Sequence, residues 1–413
     1  MLDHASTVDR ARVLGRLDEI SRIGALDNGG VCRLALSPEE TQAKAKLISW
    51  AQDLGCVAFA DDIGNVFLRF EAGQSDAPAV LVGSHLDTQP VGGNYDGVLG
   101  VIAALECVEV ISRSRLSLRR PVEIVIWCNE EGARFNPTTM GSAVHAGHLS
   151  LVQALAVVDE NGDSVRISLD KAMASLQAAG FKMARRELAA RYDAYVELHI
   201  EQGPILENKG ITIGVVTDVQ GLTQYRVEVT GVAGHAGAVP MQGRDDALTK
   251  AREIMTKLDE RLGSIEGLRF TIGRLDVAPG AINTIPARAT FTLDARHPDP
   301  IVLKNASAEI EAVCGRALVS QLIYQAPVPF DPFVVDIVET TARDQGFETL
   351  RLVSGATHDA AQMAAQCPCG MIFVPCHKGI SHNENEYCAP EHVIDGTRIL
   401  VETVLALAGR AGA

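Results

Sequence analysis

No stretch of this 413-residue sequence approaches about 18 uninterrupted apolar residues, so no membrane span is predicted. The beginning of the chain lacks a basic segment followed by an apolar one. It carries acids early, at Asp3, Asp9 and Asp18, and no secretory signal is read. Basic residues are in deficit: 37 Lys and Arg against 52 Asp and Glu leave a formal charge of −15. With no surplus of cations to displace counterions, nucleic acid is excluded as an expected partner. The nine cysteines are scattered, and the close pair Cys367 and Cys369 has no second pair at zinc-finger spacing. They read as reduced, mostly buried thiols, and the expected location is cytoplasmic. Internal repeats and low-complexity tracts are also missing. What is there is a folded composition, 47 % hydrophobic and 22 % charged, which excludes disordered and collagen-like classes. At roughly 100–200 residues per domain, two or three domains are expected.

The first 75 residues read as helices and a short hairpin. Ser37-Pro38-Glu39-Glu40 is a capping box with Pro at the first helical position, opening a helix to about Leu54, and Asp61–Gly64 reads as a turn between two strands. From about residue 78 the pattern changes to apolar runs at Val80–Gly83, Val122–Ile126, Tyr195–Leu198 and Met371–Val374, with helical character over Gly97–Ile111. This alternation predicts an α/β sheet with much parallel pairing. Residues 214–328 have another rhythm. Strands are expected at Tyr225–Val229, Leu268–Arg274 and Ala289–Leu293, and helices at Arg244–Leu262 and Ile301–Ala317. We read this segment as an inserted split βαβ, ferredoxin-like α+β domain between a first part (1–213) and a second part (329–413) of the larger domain.

Each apolar run of the larger domain is followed by chemistry. The first leads into Ser84-His85-Leu86-Asp87 and a Gly-rich loop with Asp96. The second leads into Asn129-Glu130-Glu131-Gly132, the third into His199-Ile200-Glu201-Gln202, and the fourth into Gly379-Ile380-Ser381-His382. Ligands of open α/β sheets lie beyond the carboxyl ends of the strands. His85, Asp96, Glu131, His199 and His382 are nitrogen and oxygen donors suited to two divalent ions such as Zn or Mn, with Co or Ni also possible, sharing one carboxylate. Asp87, two residues after His85, is expected to point the same way and hold the other imidazole nitrogen. Neighbours on an extended chain point apart, so of Glu130 and Glu131 one is expected to bind metal while the other stays free as a general base. Taken alone, Arg296 reads as a surface partner of Asp294 or Asp299, His235 and Asn283 as turn residues, and His145 with His148 as a solvated helix end rather than a metal pair. His358-Asp359 reads as a pocket wall rather than a catalytic dyad, because no Gly-x-Ser-x-Gly elbow precedes it.

The stretches GSHLDTQPVGGNYDGVLGV (83–101), NEEGARF (129–135), HIEQGP (199–204), GHAGAVPM (234–241), PGAINTIP (279–286), LDARHPD (293–299), SGATHDA (354–360) and GISHNENE (379–386) resemble the hydantoinase/carbamoylase branch of the di-metal amidohydrolases. That branch holds N-carbamoyl-L-amino-acid hydrolases, β-ureidopropionases and allantoate amidohydrolases and is related to aminoacylases and carboxypeptidases. The resemblance implies an aminopeptidase-like mixed sheet flanked by helices, and an inserted domain serving as lid and homodimer contact. It assigns His85, Asp96 and His199 to one metal ion and Asp96, Glu131 and His382 to the other. Glu130 matches the general base. His235 and Asn283 match groups at the reacting carbonyl, the His reaching the partner's site. Gln202, Arg296, Gly355 and His358 match substrate-binding residues. The implied substrate is a small ureido-carboxylate: an N-carbamoyl amino acid or, alternatively, allantoate. Thr357, Gln224 and Cys376-His377 depart from the family pattern, which bears on side-chain preference.

Overall fold

The computed structural model describes residues 7–72 and 76–410. They divide into two compact units: one runs to Thr217 and resumes at Pro329, the other is Asp218–Val328.

The first unit is built on a ten-stranded mixed sheet. Its centre is four parallel strands in the order Cys369–Val374, Tyr192–Ile200, Ala79–His85, Val122–Trp127. Val66–Phe70 and Val57–Ala60 extend it antiparallel on one side, and Ile213–Val219 pairs antiparallel with Cys369–Val374 on the other. Three of the four central strands are buried at every residue, as expected of a sheet covered on both faces, which is why they read as unbroken apolar runs. The helix Val98–Arg113 is the crossover between two of these parallel strands and is buried from Val98 to Ile111. Two acids on it, Glu106 and Glu109, are neutralised by Arg12 (2.8 Å) and Arg16 (2.7 Å) of the helix Arg10–Ser21.

Ser37 caps the helix Pro38–Asp53 by accepting from the Glu40 N–H, but the capping box is only half made. The Glu40 carboxylate turns to Lys44, 2.6 Å away, because both are buried and each neutralises the other. The turn at Asp61–Gly64 lies where expected, with Gly64 at φ 94°.

The second unit is a four-stranded antiparallel sheet in the order Arg269–Ala278, Arg288–His297, Gly221–Thr230, Leu318–Gln325. With the helices Ala247–Leu262 and Pro300–Cys314 it follows the chain order βαββαβ. Asp246 and Asp299 cap the two helices, and Pro300 opens the second. Tyr225, Val227, Leu258, Leu262, Phe291, Leu293 and Ile310 form the core beneath them. The fourth strand, Leu318–Gln325, was not expected. It is an edge strand with most side chains exposed, so it lacks the buried alternation that marks its neighbours.

Candidate active site

The parallel register sets His85 opposite Trp127 and His199 opposite Phe373, so all four central strands end at one edge. The loops leaving that edge bring the expected residues together. Asp96 lies between two sets: its Oδ1 is 3.0 Å from His199 Nε2 and 3.6 Å from His85 Nε2, and its Oδ2 is 3.4 Å from His382 Nε2. The same His382 nitrogen is 3.2 Å from Glu131 Oε2. Thus His85, Asp96 and His199 form one group able to hold a metal ion, and Asp96, Glu131 and His382 form another.

The imidazoles are set for metal through Nε2. His85 Nδ1 lies 2.9 Å from the Asp87 carbonyl, and His199 Nδ1 lies 2.8 Å from the Ile200 carbonyl, so each Nδ1 keeps its proton, and loss of the second ring proton would leave the lone pair on Nε2. His199 Nε2 is buried and faces Asp96 Oδ1 at 3.0 Å. Gly97 is required at this point. Its φ is 67°, and a Cβ there would lie 2.4 Å from the His85 ring.

Asp87 differs from expectation. The strand stops at His85, so the two-residue alternation does not carry on to Asp87, whose carboxylate is 3.8 Å from His85 Nδ1. That carboxylate instead accepts the backbone N–H of Glu130 (3.2 Å) and of Glu131 (3.1 Å). The two glutamates diverge because this clamp holds them in a bend, not because the chain there is extended. Glu131 is met by His382 and by Gln89 (2.8 Å), while Glu130 Oε2 lies 3.6 Å from His85 Nε2.

The electrostatics follow from burying many acids together. Burial, aided by Asp359 and Glu131, pushes the Glu130 carboxyl well above its ordinary pKa against the pull of His85. Burial likewise lifts Asp87 to about 6. It disfavours the His85 imidazolium, but Glu130, Asp96 and Asp87 outweigh it and hold His85 well above its usual value. Asp96 and Glu131 raise His382 to about 11. Without cations, protons on the imidazoles offset the acids. The cluster is one that positive ions would stabilise.

Other expected residues fall into place unevenly. Gln202 donates to Asp96 Oδ2 at 2.8 Å and, like His382 and Asn129, adopts positive φ, a conformation that non-glycine residues take where the site demands it. His358 is buried 4.5 Å from His199, ring centre to ring centre, and burial with the His199 charge keeps it neutral. Asp359 accepts from Ser142 Oγ, so no His358–Asp359 dyad forms. Gly355 lies in the bend after the strand Thr349–Ser354. Cys376 is buried with its Sγ donating to the Ile380 carbonyl, and His377 pairs with Glu207. His145 is not solvated: it is buried among Phe67, Trp127 and Tyr192 with Nδ1 2.9 Å from Asp61, whereas His148 is exposed.

Two acids were missed. Glu197 is buried in the His199 strand and accepts from Ser84, Tyr195 and the Ala360 N–H. A lone acid inside an apolar run was the available signal. Glu386 accepts the N–H groups of Tyr95 and Asp96, and stands in the quoted 379–386 stretch.

In the second unit His235 and Asn283 meet across a two-strand ribbon. His235 pairs with Thr284, and the Ala236 N–H donates to the Asn283 carbonyl. The Gly237 N–H donates to His235 Nδ1, which leaves the proton of the neutral ring on Nε2. Arg296 pairs with Asp294, as its local sequence suggested, with Nε 2.8 Å from Oδ1. Gln224, opposite Asp294 in the sheet, donates to the other carboxylate oxygen.

Comparison with known proteins shows the family of the chain. The model of Peptidase family M20/M25/M40 matches residues 81–406. An N-carbamoyl-L-amino acid amidohydrolase of Geobacillus stearothermophilus is 38 % identical over 412 residues, covering 96 % of this chain and 98 % of that protein. A ureidoglycolate hydrolase of Oryza sativa subsp. japonica is 36 % identical (95 % and 84 % covered), and an allantoate amidohydrolase of Bacillus subtilis 34 % (95 % and 96 %). The crystal structure of a hydantoinase/carbamoylase-family amidase from Burkholderia multivorans superposes with TM-score 0.89 at 39 % identity, covering 98 % of each chain. With this match over nearly its whole length, the chain belongs to peptidase family M20/M25/M40, in the hydantoinase/carbamoylase branch, and is a hydrolase of C–N bonds.

Proposed function

We propose that the enzyme removes the carbamoyl group of an N-carbamoyl amino acid, releasing the amino acid, ammonia and carbon dioxide. Two divalent ions, Zn or Mn by the donor set, would be held by His85, Asp96 and His199 and by Asp96, Glu131 and His382. When bound, they supply Lewis-acid polarisation of the ureido carbonyl and an acidified water.

The observation that carries the reading is Glu130: a buried carboxylate whose Oε2 lies 3.6 Å from His85 Nε2, yet which belongs to neither ligand group. It takes the proton of the attacking water and returns one to the leaving nitrogen, work worth roughly 10²–10⁴ in rate. His235, with its proton on Nε2, and Asn283 are hydrogen-bond donors suited to the developing oxyanion. Arg296, its fork steadied by Asp294, anchors the substrate carboxylate. Gln202, Gly355 and His358 line the substrate.

The Asp218–Val328 unit is proposed as lid and homodimer contact. Its edge strand carries exposed Leu318, Leu322, Ile323 and Tyr324, and Val232, Met241 and Ile282 are exposed on its loops. Such a strand offers both unpaired backbone and apolar surface to a second copy.

Allantoate is the second reading, supported by the name of the Bacillus subtilis relative, because it too joins a ureido group to a carboxylate. The deciding experiment measures ammonia release by the metal-reconstituted enzyme from N-carbamoyl-α-amino acids, N-carbamoyl-β-alanine and allantoate. A preference for allantoate reverses the order of the two readings, and inertness towards all three removes both.

A further inference from the structure

The Asp96 loop is gripped from the far end of the chain. Glu386 is 4 % exposed. Its Oε1 accepts the backbone N–H of Tyr95 at 2.9 Å and of Asp96 at 3.1 Å, and its Oε2 accepts from Ser381 Oγ at 2.8 Å. Ser381 Oγ is also 3.1 Å from Asp96 Oδ2 and receives Gln202 Nε2 at 3.2 Å. A hydroxyl has one proton to give, so it links these two carboxylates by donating to one at a time. The approach is close: a Cβ on Gly93 would lie 2.1 Å from Glu386 Oε1, so the carboxylate fills the space that a side chain at 93 would take. Glu386 also stands four residues after His382, in a turn where its N–H donates to the Asn383 carbonyl. One side chain therefore ties the loop of the shared carboxylate to the loop of His382.

We propose that Glu386, acting with Ser381, is a positioning residue of the metal centre: it aims the two Asp96 oxygens at their separate imidazole groups and holds the His382 loop in register with them. This rests on the two-ion reading above.

The test uses the full-length protein, stripped of metal and titrated with Mn²⁺ by calorimetry and with Co²⁺ by visible absorption. Partners that orient ligands typically govern metal affinity by roughly 10–100-fold, and Glu386→Ala is expected to weaken ion uptake within that range and to alter the cobalt spectrum. Glu386→Gln keeps an oxygen for the two N–H groups but presents an amide to Ser381, so it should recover much of the affinity and of the spectrum. A purely structural role would lower the melting temperature of the metal-free protein and leave affinity and spectrum alone. Two ions bound by Glu386→Ala as tightly as by the wild type, with the same spectrum, overturn the proposal. Should Glu386→Ala not fold, Ser381→Ala carries the test, and unchanged affinity and spectrum in that variant overturn it. A wild-type protein that takes up no ions removes instead the reading on which the proposal stands.

Discussion

Asp87 holds His85 with its main chain and not with its side chain: the carbonyl is 2.9 Å from Nδ1, while the nearest carboxylate oxygen is 3.8 Å away. The freed carboxylate clamps the Glu130 and Glu131 peptides. A substitution there should separate two roles that a sequence motif merges. Asp87→Asn retains the carbonyl and hence the His85 tautomer, but its amide can accept from only one of the two N–H groups. We expect near-normal metal content and kcat reduced about 10–100-fold, a loss typical of disturbed ligand support. Atomic absorption together with steady-state kinetics checks this, and loss of one ion with normal kcat per bound metal would reverse the assignment.

Glu130→Gln should keep both ions while turnover falls by roughly 10²–10⁴. The amide has nearly the shape of the acid but no basic oxygen pair to receive a proton. A variant turning over at the wild-type rate would remove the assigned base.

Ion binding should compete with protons. His85 and His199 are held above their ordinary pKa by the surrounding acids, and His382 is raised to about 11. A raised imidazole pKa stabilises the metal-free fold most fully below about 6.5, the value in an unfolded chain, and this contribution fades as pH climbs through the folded value. An incoming ion must displace those protons, so affinity should rise from pH 6 to pH 8, by tenfold or more. Calorimetry in buffers of different ionisation enthalpy measures the protons released. Binding independent of pH would count against imidazole ligation.

Arg296→Ala should raise KM for carboxylate substrates about tenfold or more with a smaller change in kcat, since it removes the charge-assisted fork. Arg296→Lys should not restore it, because a point charge cannot keep both the Asp294 contact and a bidentate grip. Unchanged KM in Arg296→Ala would mean that another group anchors the anion.

Subunits carrying His235→Ala mixed with subunits carrying Glu130→Gln should partly regain activity if each active site draws His235 from the partner. Heterodimers verified by mass spectrometry yet inactive would exclude sharing.

The five donors were legible because parallel strands buried on both faces announce themselves as apolar runs, and polar residues just after such runs meet at one edge. The partners of buried polar atoms were not legible. Asp87 was misjudged because the strand ends at His85, two residues before it, so alternation does not apply. His145 was misjudged because Asp61 and three aromatic rings, distant in sequence, enclose it. Glu40 left its expected capping role for Lys44 once both were buried.

By itself, the order of residues determined the parallel core, the two helices and three of the four sheet strands of the middle segment, and the set of imidazoles and carboxylates available for metal. Those depend on local periodicity and residue type, which a linear string carries. Only tertiary structure decided that Asp87 serves the two glutamates, that Glu386 reaches back 290 residues to Asp96, and that Ser84 donates to the buried Glu197. A buried polar atom must bond with whatever the fold brings within about 3 Å, and that neighbour is set by packing rather than by spacing along the chain.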